Sequence, residues 1–342
     1  MKISVIVPFH NLQEYVELTL DTVVKAVRNL ISKRQDCVIE LICIDDGSND
    51  DTGRLLDEKL SGIDIGGLEC SCIHQENAGE GEARNAGLMQ ATGDWITFLD
   101  GDDIWAEDYF VRFLELLDRY PDADIVGQAK KVFRTGTVEF DRMIESEIVA
   151  YDVTTQLPLD VLLGLGICPT LIRRTIADGL HFTQLVLGAD RVYMAACIAR
   201  ARRVVLSDLV VYGYRYRPNS MAHCARSAAK ITSYQEHALQ LWRLLSDSGK
   251  TVDRGCVDFI MTHLMVKMPI KISRVGDETA SKSLWTDWEN AVKSLSPLPC
   301  SLKWRLLRKI ELRMASARSL NALLARFIWR LGLLGTHKGR ML

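Results

Sequence analysis

Trp95-Ile96-Thr97-Phe98-Leu99-Asp100-Gly101-Asp102-Asp103 is the stretch on which the reading of the whole chain turns. An apolar run of five stops abruptly at three carboxylates within four positions. The run is too short for a helix and is followed by turn residues, which predicts a strand buried on both faces. Carboxylates this close repel unless a cation or a donor network compensates. Hard divalent cations take carboxylate oxygens and share them with ligand phosphates. An EF-hand does not fit, because Trp105 stands where that loop needs glycine and Val111 where it needs glutamate. The plain alternative is an acidic cap, with Asp103 at the positive end of a helix beginning near Ala106.

The same grammar recurs upstream. Residues 3–7 are wholly apolar and end at Pro8-Phe9-His10-Asn11. Residues 38–44 end at Asp45-Asp46-Gly47-Ser48, and a third strand near 70–74 runs into Gln75 to Gly79. Between the strands, Val16, Leu20, Val23, Val24, Val27 and Leu30 keep helical spacing. A polar helix is expected to about Leu60 and another from about Gly79 to Ala91. Phe110, Phe113, Leu114 and Leu117 make a further helix, stopped by Pro121. Alternating strands and helices over 120 residues predict an α/β fold with a mostly parallel sheet and helices on both faces. In such sheets the carboxyl ends of the strands line one edge, where ligands bind, so the four polar clusters are expected to meet there. Neither G-x-G-x-x-G nor a P-loop follows a strand, which disfavours a nicotinamide cofactor and P-loop chemistry.

Two motifs have competing readings. Turn and cap chemistry from Asp50 or Asp51 explains the end of residues 45–52, but not the Asp45-Asp46 pair at the strand end. Carboxylates there commonly accept from a base edge or a ribose hydroxyl. Arg84 lies among small residues in 77–87; these permit close packing on the sheet, while the guanidinium could meet a phosphate or an acidic partner.

Four motifs in this order and register resemble family 2 glycosyltransferases of the GT-A (Rossmann-like) fold: V-I-V-P-F-H-N (5–11), I-D-D-G-S-N-D-D-T (44–52), N-A-G-x-G-x-A-R-N-A-G (77–87) and W-I-T-F-L-D-G-D-D (95–103). The resemblance covers roughly the first 120 residues and continues more weakly to about Ser220. It implies a nucleotide-sugar donor, most often a UDP-sugar, a divalent Mn²⁺ or Mg²⁺, and inversion at the anomeric carbon. On this resemblance Pro8, Phe9 and His10, with Asn11 beside them, line the base pocket. His10 stands where the family often has Tyr. Asp46 accepts from the base edge with Asp45 adjacent, and Arg84 approaches base or phosphate. Asp100 holds the ribose side and shares the metal with Asp102. The family's general base, an Asp after Gly-Glu, maps to Asp190, with Ala189 in place of the Glu and a helix N-cap as its alternative role. Arg215 or Arg217, with Ser220, closes over the diphosphate, and His223 adds a metal or phosphate contact.

The composition is that of a soluble globular protein, which excludes disordered, collagen-like and low-complexity classes: 342 residues, 48% hydrophobic, 25% charged and a net charge of −2. That charge conceals a split, since residues 301–342 carry 10 Lys/Arg against 1 Asp/Glu, leaving −11 on the first 300. No stretch of 18 apolar residues and no signal peptide are read. Nine scattered cysteines predict reduced, mostly buried thiols, and Cys70-Ser71-Cys72 lacks the second pair of a structural zinc site. The expected division is a GT-A domain over 1–224, an α-helical extension over 225–300 and a basic amphipathic tail over 301–342. The tail, with Trp304 and Trp329, suits an anionic bilayer surface or, alternatively, packs on the body; nucleic acid is disfavoured by the acidic body.

The leading expectation is a cytoplasmic enzyme, peripheral on the inner face of the membrane. It would move a hexose or N-acetylhexosamine from a UDP-sugar to a glycan or lipid-linked acceptor of lipopolysaccharide, capsule or exopolysaccharide. A catalytically silent nucleotide-sugar-binding module, recruiting partners through its C-terminal helices, is the alternative. A nucleotidyltransferase would need G-x-G-T-R-L after the first strand, which is missing.

Overall fold

In β1 (Lys2–Phe9) every residue but Lys2 is buried, and the strand is paired on both sides. That is why its sequence shows no alternation: a parallel strand covered on two faces has no polar side. The coordinates are a computed structural model, and they describe residues 1–295 apart from 135, 137, 141–145, 219, 221–227 and 276. After β1 come α1 (Val16–Lys33), β2 (Val38–Asp46), α2 (Thr52–Ser61), β3 (Leu68–Gln75), α3 (Glu80–Gln90), β4 (Trp95–Phe98), β5 (Ile104–Trp105) and α4 (Tyr109–Arg119). The chain continues through β6 (Ile125–Phe133), β7 (Ile148–Asp152), β8 (Gln156–Leu157), α5 (Leu159–Gly164), β9 (Thr170–Arg173), α6 (Arg174–Ala177), α7 (Ala189–Arg200) and β10 (Arg203–Arg215). The main sheet runs β3-β2-β1-β4-β9-β6-β10-β5, with β7 also on β10. Its pairings are parallel except those of β9, β5 and β7.

Register places the polar clusters side by side. Phe9 pairs with Asp45, Asp45 with His74, and Asp46 with Gln75. The strand predicted over 38–44 is two residues longer, so the two aspartates are its last paired residues rather than a loop. The small residues of α3 serve close packing. A Cβ on Gly87 would lie 2.4 Å from Ile6 Cγ2 and 3.0 Å from Ile44 Cδ1, so the helix backbone rests directly on the side chains of β1 and β2.

The helix expected from Ala106 begins at Tyr109, because Ile104 and Trp105 form β5 against Gly213 and Tyr212. Asp103 therefore caps nothing. Of Asp50 and Asp51, Asp51 holds the N-cap position of α2 without a side-chain cap hydrogen bond, while the Asp50 carboxylate just ahead of it accepts from the Thr52 backbone N–H at 3.0 Å.

Beyond β10 the described chain forms α8 (Ala228–Asp247), β11 (Thr251–Val252), α9 (Arg254–Thr262), a π-helical turn (His263–Lys267), α10 (Met268–Ile272) and α11 (Glu278–Ser294). Two departures from the sequence reading stand out. The segment is not wholly helical, since β11 pairs with β8. The single helix expected over 257–272 is interrupted ahead of Pro269, whose missing N–H and ring cannot continue a regular α-ladder. These helices join the same continuous core as the sheet, with Trp242, Leu245, Leu264 and Trp288 buried in it, and the indole of Trp288 donates to the Leu264 carbonyl at 2.8 Å. The described cysteines are all free thiols, as expected. No helix among the described residues is long and apolar enough to cross a membrane. The basic tail over 301–342 lies outside the described residues.

Candidate active site

The carboxyl ends of β1, β2, β3 and β4 open on one edge, and two side-chain groups collect there. At the β1–β3 end, Asp46 is buried and turned toward its own chain. Its Oδ1 accepts from Gln75 Nε2 (2.8 Å) and the Ala78 N–H (2.9 Å), and its Oδ2 from the Gly79 N–H (2.9 Å). This shapes the turn that leads into α3. Asp45, also buried, accepts from the Ser48 N–H at 3.1 Å and lies 3.1 Å from His74 Nδ1. His10 Nδ1 meets the Asp46 carbonyl at 2.7 Å, and the Asn77 amide reaches its ring at 3.1 Å. Asn11 has φ +52°, a left-handed conformation that asparagine tolerates better than most residues. There its backbone donates to Ser48 Oγ (3.0 Å) and its side-chain oxygen accepts from the Asn49 N–H (2.7 Å). Pro8 and Phe9 are buried beneath this rim, so His10 and Asn11 are the residues of the first motif that reach solvent.

The second group is built on Asp100-Gly101-Asp102-Asp103. Gly101 is required sterically: a Cβ there would lie 2.6 Å from the Phe9 ring and 2.7 Å from the Pro8 carbonyl. Arg84, buried on α3, donates from Nη2 to both Glu80 and Asp100 at 2.6 Å. Burial alone would lower its pKa, but those two carboxylates hold it up and keep it cationic. Asp102 faces the end of β10. Arg217 Nε donates to its carboxylate and Arg215 Nε to its carbonyl at 2.7 Å. Both guanidiniums lie over the Tyr15 ring, at 5.0 Å for Arg215 and 5.5 Å for Arg217. Ser220 follows, with its N–H on the Arg217 carbonyl at 3.2 Å. Asp103 is fully buried, accepting from the Tyr212 hydroxyl and the Arg215 N–H, each at 2.7 Å.

Burial and mutual repulsion favour the protonated forms of Asp102 and Asp103 at this edge. Burial pushes the Asp102 carboxyl up against the pull of Arg217, and Asp100 adds to the push. Burial, then Asp100 and Asp102, raise Asp103 well above the usual carboxylate range. Asp100 and Asp102 present hard oxygens with 26% and 14% of their side chains exposed. Two partly open carboxylates suit a Mg²⁺- or Mn²⁺-class ion that completes its shell with water and phosphate oxygens. Of the four guanidinium nitrogens buried without a hydrogen-bond partner among the described residues, two belong to this edge, Arg84 Nε and Arg215 Nη2.

Asp190 is exposed in the first turn of α7, where Gly188 is the N-cap, so it does not serve as the cap itself. Its charge acts on both Glu80 and Arg84, which places it on the same edge as Asp100. The loop before α7 is tied to α3 by a reciprocal pair: Asn85 Nδ2 donates to the Phe182 carbonyl (3.0 Å), and the Phe182 N–H donates to Asn85 Oδ1 (2.7 Å). The Phe182 ring stacks on Tyr193 at 4.1 Å and lies 5.5 Å below Arg84. His223 lies outside the described residues. Glu80, Asn85, Tyr15 and Tyr212 belong to the site without having been singled out from sequence. Only Glu80 and Asn85 had a signal, as neighbours of Arg84 in one motif.

The family described as Glycosyl transferase family 2 matches residues 4–180. The chain belongs to glycosyltransferase family 2. Among curated members it is 25% identical over 231 residues to the glycosyltransferase GlyA of Streptococcus pneumoniae, covering 65% of this chain and 31% of that one. To the succinoglycan biosynthesis protein ExoW of Rhizobium meliloti it is 30% identical over 155 residues, covering 40% and 47%. The match thus spans about a third of GlyA and under half of ExoW. Among solved structures, S. aureus TarS 1-349 in complex with UDP superposes with a TM-score of 0.69 at 18% identity, covering 97% of this chain and 92% of TarS. The shared fold is GT-A, and the family 2 match ends before α7, so Asp190 lies beyond it.

Proposed function

We propose that the chain is a metal-dependent, inverting glycosyltransferase that moves a hexose or N-acetylhexosamine from a UDP-sugar to a glycan or lipid-linked acceptor in cell-surface polysaccharide biosynthesis. The observation that carries this reading is the gathering of Asp100, Asp102, Arg84, Arg217 and Asp190 on one sheet edge. Asp100 and Asp102 hold Mn²⁺ or Mg²⁺, which when bound neutralises the leaving diphosphate. His10 and Asn11 face the base, while Asp45 and Asp46 fix the two turns that frame it. Arg217, now on the Asp102 carboxylate, would offer its guanidinium to the diphosphate, with Arg215 and Ser220 beside it. Asp190 takes the proton of the acceptor hydroxyl as that oxygen attacks the anomeric carbon. The bond formed is acceptor oxygen to anomeric carbon; the bond broken is anomeric carbon to diphosphate oxygen. His223 remains a proposed further contact.

Division of labour follows the chain. Residues 1–224 carry the chemistry, 225–300 brace it, and the basic tail over 301–342 holds the enzyme at an anionic membrane on the cytoplasmic side. The test is UDP release from a panel of UDP-glucose, UDP-galactose and their N-acetyl forms with Mn²⁺ and acceptor glycolipids. Turnover with at least one donor, lost in Asp190→Asn, is expected. Donor binding with no turnover on any acceptor would leave a nucleotide-sugar-binding module instead.

A further inference from the structure

Cys72 and His74 are two apart on β3, an edge strand, so their side chains project to one face of the sheet. α2 crosses that face and brings Asp57 to them. One ligand atom from each of Asp57, Cys72 and His74 lies within 4.8 Å of the others. His74 Nε2 is already 3.1 Å from Asp57 Oδ1, while His74 Nδ1 is 3.1 Å from Asp45 Oδ2. An imidazole with one nitrogen on a carboxylate and the other turned to a ligand cluster is the arrangement by which proteins orient a metal-binding histidine. The helix gives way to this group: a Cβ on Gly53 would lie 2.5 Å from Asp45 Oδ2 and 3.4 Å from His74 Cε1.

We propose that Asp57, Cys72 and His74 form a binding site for a zinc-class divalent cation, with Asp45 orienting the imidazole. The chemistry of the set argues for that class, since one thiolate, one imidazole and one carboxylate suit Zn²⁺ rather than Mg²⁺. Tetrahedral zinc places ligand atoms about 3.5 Å apart, so the Asp57–His74 spacing already fits and the sulfur has at most roughly 1 Å to close. The ion takes the position now bridged by a proton between His74 Nε2 and Asp57, and a water fills the fourth place. It also expels the thiol proton, which burial, then Asp57 and Asp45, hold up to about 12 in the metal-free chain; coordinated thiols ionise. Cys72 of the C-x-C, which lacks a second cysteine pair, thus finds partners in Asp57 and His74. The ion would pin α2 to the edge strand and fix, through His74, the carboxylate of Asp45 in the Asp45-Asp46-Gly47-Ser48 turn.

The experiment is a titration of the metal-stripped full chain with Co²⁺ alone at neutral pH, followed by its absorption. A thiolate-to-cobalt charge-transfer band that saturates at one equivalent per chain is expected. Cys168 Sγ lies 4.0 Å from Asp100 Oδ1, so loss of the band in Cys72→Ser is what separates this site from the Asp100–Asp102 pair. Cys72→Ser abolishes the band, and His74→Gln weakens Zn²⁺ competition for the site roughly 10- to 100-fold. Thermal melts confirm that both variants are folded; should Cys72→Ser fail, Asp57→Asn is read instead and has to weaken the same competition. No band in the wild-type chain, or a band that survives Cys72→Ser, overturns the proposal and leaves the trio as an imidazolium between two carboxylates.

Discussion

Asp190 and Asp102 are expected to fail in different ways. Asp190→Asn keeps the shape of the first turn of α7 but cannot accept a proton, so kcat falls about 10²- to 10⁴-fold while UDP affinity is unchanged. Steady-state kinetics together with calorimetric UDP titration separate the two quantities. Tyr212 has a structural assignment instead. Its hydroxyl supplies one of the two hydrogen bonds to the fully buried Asp103, so Tyr212→Phe leaves that carboxylate short of a donor at a cost of about 1–3 kcal/mol, read by urea denaturation. At this scale the sequence was most informative about residue types and least about partners. The three carboxylates of residues 100–103 read as a cation site or a cap, and the structure divides them: two partly open, one sealed by a tyrosine from a strand more than 100 residues away. No local pattern encodes that tyrosine, because the pairing of β10 with β5 and β6 is a property of the folded sheet.

At the scale of elements, close approach and edge ties decide the geometry. Gly87→Ala drives a methyl into Ile6 and Ile44 beneath α3 and should destabilise by about 1–3 kcal/mol, seen as a lowered Tm. The end of the sheet opposite the site is held by Glu40, which accepts from Lys2 Nζ (2.8 Å), Ser4 Oγ (2.6 Å) and Thr92 Oγ1 (2.6 Å). Burial would raise its pKa, but those hydrogen bonds outweigh it and bring the carboxyl down to about 2. A carboxyl lowered in the folded state adds stability above the unfolded value and loses it as pH falls toward the folded one. Glu40→Gln should therefore cost on the order of 3 kcal/mol at neutral pH, with the gap to wild type narrowing between about pH 4.5 and 2. Chemical denaturation across that range checks it. β1 and β4 were legible as short apolar runs and β2 as a mostly apolar one, whereas the more polar β6 was not read as a strand; the last residues of β2 were missed too, since Asp45 and Asp46 read as loop but are held in register by β1 and β3.

At the scale of the whole molecule, helices α8 to α11 share one core with the sheet, and α8 braces the approach to Asp190. Ser233 Oγ accepts from the Leu187 N–H at 3.0 Å, and the His237 ring packs where a Cβ on Gly188 would come within 2.8 Å. A chain ending at residue 224 should consequently lose cooperative unfolding and collect in the insoluble fraction, whereas removing residues 301–342 should leave the melt intact and abolish sedimentation with anionic vesicles. The helical character of this region was legible from spacing. The π-turn before Pro269 and the β8–β11 pair were not, because one depends on how a helix absorbs a missing donor and the other on a contact 95 residues apart.

The metal-dependent nucleotide-sugar site is the centre of the account, and UDP binding with and without Mn²⁺ tests it most directly. Calorimetry on the full chain should show UDP binding that is strengthened at least about tenfold by Mn²⁺, with the gain abolished in Asp102→Ala. UDP affinity that is the same in EDTA as in Mn²⁺, or a Mn²⁺ gain that survives Asp102→Ala, would contradict it.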